Sequence, residues 1–243
     1  MSIETIKYLN KLLSGISQIP YENITKILRL QLDKEHRPRN FSTLLDEYKK
    51  DFRGGTCFSL SNAIIEILKK NDISAFPIKV NVERETFPHF FVIIDFMNEH
   101  YLIDPGFMIY EPIKLTTKKE ATFSSKIANY ILKFDEKNNE YSLYSIKNRK
   151  KKFRYNFQIS PIENEIFIKY WIESFEYINK IVASRIIGNK HIFISGNYVQ
   201  VRTKKTIEKY KSLKTAHEYL INYFNFSKAD IENAENVLEN YKK

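Results

Sequence analysis

The chain has 243 residues, a net charge of +10, 43% hydrophobic and 28% charged residues, and only 6 Gly and 7 Pro. That length allows one or two domains with a sizeable core, and the composition excludes collagen-like, linker-like and wholly disordered sequence. A single cysteine excludes an intramolecular disulfide, and no apolar run approaches the roughly 20 residues of a membrane-spanning helix.

The first residues lack a basic segment followed by an apolar one, so no secretory signal is expected and a reducing cytoplasm is. The lysines are scattered and Lys, Ile and Asn are all abundant. The charge therefore reads as composition, and neither a nucleic acid nor a membrane is expected as partner.

In chain order, Ile3, Ile6, Leu9, Leu12 and Leu13 recur at helical spacing behind a Ser2 cap, predicting a helix over 3–13. Ile16 and Ile19 continue the apolar set to Pro20. The polar stretch 33–40 reads as a loop, and 42–50 as a short helix. Arg53-Gly54-Gly55-Thr56 is a turn, followed by a helix with Leu60, Ile64, Ile67 and Leu68 on one face and Asn71-Asp72 at its end. From Phe76 the period becomes strand-like. Residues 89–96 and 101–103 are β-former runs, and 141–146 and 153–159 predict a strand pair joined by the basic run 147–152. Residues 162–182 and 206–224 read as mainly helical. Between them, 191–202 reads as two short strands around Gly196-Asn197. Helices, then strands, then mixed structure predict the α+β class.

Chemistry is suggested at three places. Cys57 follows two glycines at the start of a helix, where partial positive charge and free N–H groups favour a thiolate and an oxyanion. By itself a lone cysteine is more often a buried apolar residue. His89 opens an apolar strand, and Asp104 closes the next one before Pro105-Gly106. A hairpin turning at Met97-Asn98 sets Asp104 opposite Phe91, diagonal to His89 on the same face. A one-residue slip would move Asp104 to the other face. The pattern is nucleophile, base and orienter. His36, His100, His191 and His217 have no neighbours at metal-ligand spacing, so no metal is expected, and His217 reads as a surface residue.

Arg53-Gly54-Gly55-Thr56-Cys57, then His89, then Asp104-Pro105-Gly106-Phe107, with Ile19-Pro20-Tyr21-Glu22-Asn23-Ile24 upstream, resembles the arylamine N-acetyltransferase family. The likeness is specific to about residue 110. It implies a three-part fold with a cysteine-protease-like Cys-His-Asp core. A helical bundle (1–75) carries the nucleophile, a central antiparallel β-barrel-like sheet (76–160) carries His89 and Asp104, and an α/β lid (161–243) covers the cleft.

The resemblance also implies ping-pong transfer of an acetyl or other acyl group from acyl-CoA, typically acetyl-CoA, through Cys57 to an arylamine, hydrazine or similar amine. It implies that Arg53 and Glu22 pair to brace the site, an ordinary buried ion pair being the alternative. Ser59, Ser61, Pro105 and Met108 depart from the family pattern. The basic run reads as a solvated hairpin tip, with a grip on CoA phosphates as the alternative. Phe87, Phe90, Phe91, Phe107 and Tyr110 read mostly as core, with an aromatic substrate pocket as the alternative. Competing functions are an amide synthase fed by a carrier-protein thioester, a Cys-His-Asp hydrolase or transglutaminase-like enzyme, and a basic binding module.

Overall fold

A computed structural model describes residues 3–30, 38–83, 85–125, 127–147 and 150–241. Ser2, most of the 33–40 loop and His36 lie outside the described residues.

The chain starts with α1 (Ile3–Leu13), whose spacing buries Leu9 and Leu13, followed by a short 3-10 turn at Ile16–Gln18. A two-residue strand β1 (Tyr21–Glu22) and α2 (Ile24–Arg29) come next. Helix α3 (Phe41–Asp51) is capped by Asn40, whose side chain accepts from Thr43 N–H at 2.8 Å. Helix α4 (Cys57–Lys69) buries one whole side, including Leu60, Ile64 and Leu68.

The strands β2 (Ser74–Val80), β3 (His89–Phe96), β4 (Glu99–Asp104) and β5 (Ile109–Lys114) form one antiparallel sheet in sequence order. Met97 and Asn98 both have positive φ, 54° and 57°. That is the two-residue turn whose twist matches its strands. It pairs Ile94 with Tyr101 and Val92 with Ile103.

A second antiparallel sheet contains β6 (Glu120–Ser124), β7 (Asn129–Asp135), β8 (Glu140–Lys147) and β9 (Lys150–Phe157). The two sheets share one core with α1 and α4, and Phe91 stacks on Tyr155 across them. Among the described residues no hydrogen-bonded ladder joins them. The barrel-like expectation thus becomes two open sheets on a common core. The basic run is also more ordered than a connecting tip: Lys147 pairs with Lys150, and both strands extend into it. Residues 148 and 149 lie outside the described residues.

Helix α5 (Asn164–Glu173) is shorter than the 162–182 expectation, because Val182 onward joins a sheet. That third sheet runs β1-β10-β11-β12-β13, with β10 (Val182–Ile187), β11 (Lys190–Ser195), β12 (Tyr198–Arg202) and β13 (Ile207–Lys211). The helix expected over 206–224 is therefore strand β13 followed by α6 (Leu213–Phe224). Ser212 caps α6 by accepting from Thr215 N–H at 3.2 Å. Helix α7 (Lys228–Tyr241) closes the chain. Helices α2, α6 and α7 form a second core with the third sheet.

Candidate active site

The nucleophile side is a clamped loop. Glu22 has no exposed surface, and its two oxygens accept from Gly54 N–H and Thr25 N–H, both at 2.9 Å. Arg39, also buried, donates to the Gly54 carbonyl at 2.7 Å. Gly55 N–H donates to Pro20 O, and Glu22 N–H to Gly55 O, both at 3.1 Å. A Cβ at Gly54 would lie 2.0 Å from Pro20 O, so only glycine fits there. The loop delivers Cys57 to the first turn of α4, where Thr56 supplies no side-chain cap and the early N–H groups have no partner within the helix.

The pairing of Arg53 with Glu22 does not occur. Arg53 donates instead to Asp230 at 3.0 Å and lies over the Phe226 ring, so it braces α7. Glu22 satisfies its charge on backbone N–H groups.

The base side follows from register. Asp104 is fully buried at the end of β4, and His89 Nε2–H donates to its two oxygens at 2.9 and 3.0 Å. Asp104 also accepts from Phe107 N–H at 3.1 Å and from the Tyr155 hydroxyl at 2.7 Å. Burial disfavours charge on His89. The Asp104 carboxylate, together with a hydrogen bond and charge from Cys57, overcomes this and raises its pKa well above the usual histidine value. A protonated imidazole beside a thiol is the arrangement that favours thiolate. A Cβ at Gly106 would lie 2.4 Å from His89 Cε1, so this glycine makes room for the ring.

Cys57, His89 and Asp104 are thus brought together as the sequence suggested. They lie along a cavity of about 760 Å3, with Cys57 and His89 in its wall. Tyr155 is a member of this network that sequence reasoning missed. The alternation of Phe153, Tyr155 and Phe157 signals a strand but not a bond to a residue 51 positions away. Tyr21 is another. Its phenol, in the cavity wall, is held protonated by burial and by the negative charges of Cys57, Glu85, Asp104 and Glu22.

A family model described as N-acetyltransferase matches residues 3–229. The chain belongs to the arylamine N-acetyltransferase family. The fold agrees with solved structures of arylamine N-acetyltransferases. That of Mycobacterium marinum is 15% identical with a TM-score of 0.77, over 99% of this chain and 93% of that one. The Mycobacterium tuberculosis structure is 18% identical with a TM-score of 0.74, over 100% and 94%. A Mycobacterium marinum structure in complex with CoA is 17% identical with a TM-score of 0.75, over 97% and 93%. At these identities the likeness is one of fold. No curated protein matches the chain.

The remaining residues singled out in the sequence take these places in the fold. Ser59 and Ser61, two and four residues after Cys57 in α4, are buried outside the cavity wall, and their hydroxyls have no partner among the described residues. Met108 has φ 58°, is 3% exposed and lines the cavity. A left-handed backbone costs a non-glycine residue about 1–2 kcal/mol, comparable to what burying its side chain returns. Of the five candidate aromatics, Phe87 and Phe107 line the cavity while Phe90, Phe91 and Tyr110 are core.

Lys26 also reaches the cavity wall although its side chain is 3% exposed. It bonds Ser174 and lies 4.1 Å from the ring centroids of both Trp171 and Phe175. Burial lowers its pKa to about 7, against a smaller upward pull from Cys57. His217, expected at the surface, is half-buried and bonds Glu235 at 2.9 Å. Among the described residues no three His, Cys, Asp or Glu side chains gather as a metal site.

Proposed function

We propose that this enzyme moves an acetyl group from acetyl-CoA to an aromatic amine or hydrazine through a thioester on Cys57. The observation that carries the proposal is a His89 ring fixed by Asp104, with Cys57 and His89 sharing the wall of a cavity large enough for a small aromatic substrate. The CoA complex of the structural neighbour supports the choice of donor.

In the first half-reaction the Cys57 thiolate attacks the thioester carbonyl. The N–H groups at the start of α4 stabilise the oxyanion, and the C–S bond to CoA breaks. The leaving CoA thiolate takes the proton held by His89. In the second half-reaction the amine attacks the acyl carbon and passes its proton to His89. The amide leaves as Cys57 regains the thiolate, now paired with a protonated His89. Asp104 orients the ring, and Tyr155 orients Asp104.

In this scheme residues 1–75 contribute the nucleophile, 76–160 the base and 161–243 the cover of the cleft. A reducing cytoplasm suits a lone catalytic thiol. No described helix is long and apolar enough to cross a membrane.

Intact-protein mass spectrometry after mixing with acetyl-CoA tests the proposal. One acetyl group is expected on the native protein, none on Cys57→Ser, and its loss is expected on adding an arylamine. Acetylation of the Cys57→Ser protein to the same extent would remove Cys57 from the mechanism.

A further inference from the structure

The transfer steps leave one buried amine of the cavity unused. Lys26 lies on α2 with its side chain 3% exposed, yet it borders the same cavity as Cys57. A buried lysine is ordinarily matched by a carboxylate. Among the described residues, no carboxylate is hydrogen-bonded or ion-paired to this one.

Its surroundings are three aromatic rings and one hydroxyl. Nζ lies 4.1 Å from the ring centroids of Trp171 and Phe175 and 5.8 Å from that of Phe58. Phe58 follows Cys57 in α4, and Cys57, Phe58 and Trp171 form one packed cluster with Phe175 against it. The rings around the amine are therefore the rings that pack with the nucleophile. Nζ–H donates to Ser174 Oγ, and Ser174 O–H donates in turn to Trp171 O at 2.5 Å. The serine proton is thus committed, so Ser174 only accepts from Lys26. In the uncharged amine one N–H goes to Ser174, and no donor among the described residues faces the nitrogen lone pair. Burial, against the smaller upward pull of Cys57, brings the pKa to about 7. At pH 8 most of the side chain is therefore free amine, the nucleophilic form.

We propose that Lys26 is a second acyl acceptor, which takes the acetyl group from Cys57 when no amine substrate arrives. This rests on the Cys57 thioester proposed above. Lys26 Nζ attacks the thioester carbonyl, an N–C bond forms and the C–S bond to Cys57 breaks. The proton lost by the nitrogen passes to His89, as it does for an external amine, and Cys57 returns as the thiolate. The product is an Nζ-acetyl amide, and no other reactant is consumed. Placing donor and acceptor in one cavity supplies the effective concentration. An amide is a far poorer acyl donor than a thioester, so this acetyl group stays whereas that on Cys57 turns over. Acetylation also removes the charge whose burial is costly.

The test is peptide mapping by mass spectrometry of the native protein, held for hours with acetyl-CoA and no amine and then treated with an excess of an arylamine. An acetyl group that survives the arylamine is expected on Lys26, at about tenfold or more the level in Cys57→Ser treated alike. Equal levels in the two proteins would mean direct acetylation by the donor and overturn the relay. A Cys57 thioester beside an unmodified Lys26 overturns this proposal alone. A Cys57 that takes no acetyl group overturns it together with the transfer reading. Reach is tested separately with o-phthalaldehyde, which needs a thiol and an amine side by side to form a fluorescent isoindole. Cys57 is the only thiol of the chain, so isoindole fluorescence is expected in the native protein and its loss in Lys26→Met. No fluorescence, or fluorescence undiminished in Lys26→Met, would put the amine out of reach of the thiol and overturn the proposal.

Discussion

The two walls of the cleft are built in different ways. The triad wall comes from residues within fifty positions of one another, placed by a helix start and one tight hairpin. The rest of the cavity lining draws on β9, β11 and β12, in sheets that share no ladder among the described residues, and these strands meet only when the last third of the chain packs down. Local rules of turn and register therefore position Cys57, His89 and Asp104, whereas the assembly of distant elements completes the cavity lining. Substitutions at the triad should change the rate of transfer, and those among the cavity-lining residues of β9, β11 and β12 should change selectivity.

Asp104→Asn should break the triad wall most severely after loss of the thiol itself. The rate of transfer is expected to fall by on the order of 10^3–10^4, as when an orienting aspartate is neutralised in a comparable triad. Without that charge the His89 pKa moves down, so the limb of the pH–rate profile that follows His89 should shift to lower pH. An unchanged profile would remove Asp104 from the mechanism.

Gly106→Ala places a methyl group 2.4 Å from His89 Cε1, and a displaced base costs about 10^2-fold in rate. Steady-state kinetics beside a thermal melt would separate this from simple unfolding, and a native rate would show that the ring has room to spare. Tyr155→Phe removes one of the bonds on a buried carboxylate. It should lower stability by about 1–3 kcal/mol in denaturant titration, with about a tenfold loss of rate, because His89 still holds Asp104.

The smallest expected effect on rate is that of Lys26→Met, which instead should change stability with pH. The Lys26 pKa falls from 10.5 to about 7 on folding, so the unfolded chain binds more protons between those values. The burial penalty is then full below pH 7 and disappears as pH rises to about 10.5. The variant should gain roughly 1–3 kcal/mol at pH 6 and much less at pH 10, the faces of Trp171 and Phe175 offsetting part of the penalty. Equal gains at both pH values would show that Lys26 is charged throughout.

The same contrast explains what was legible in the sequence. The Met97-Asn98 turn fixes a register, and the register places Asp104 by His89, so that pair could be read from spacing alone. Strands β5, β6 and β7 left no comparable pattern between residues 105 and 140. Ile207 and Tyr210 fit a helical period, yet they lie on an edge strand whose residues are mostly exposed and carry no inward face. Arg39 was hidden within a polar stretch, and nothing local marks it as the partner of the Gly54 carbonyl. Arg53 was assigned to Glu22 by family pattern, whereas its partner Asp230 is 177 residues away.

Strand β1 is only two residues long, yet it lies between Gly55 and β10. Asn23, immediately after it, donates to Lys180 O at 2.9 Å and accepts from Val182 N–H at 2.8 Å. The loop that presents Cys57 is therefore supported from behind by residues synthesised some 125 positions later. During synthesis the thiol emerges early, but its support comes late. A C-terminally truncated chain keeps the Glu22 and Arg39 contacts on this loop but lacks the strand behind it.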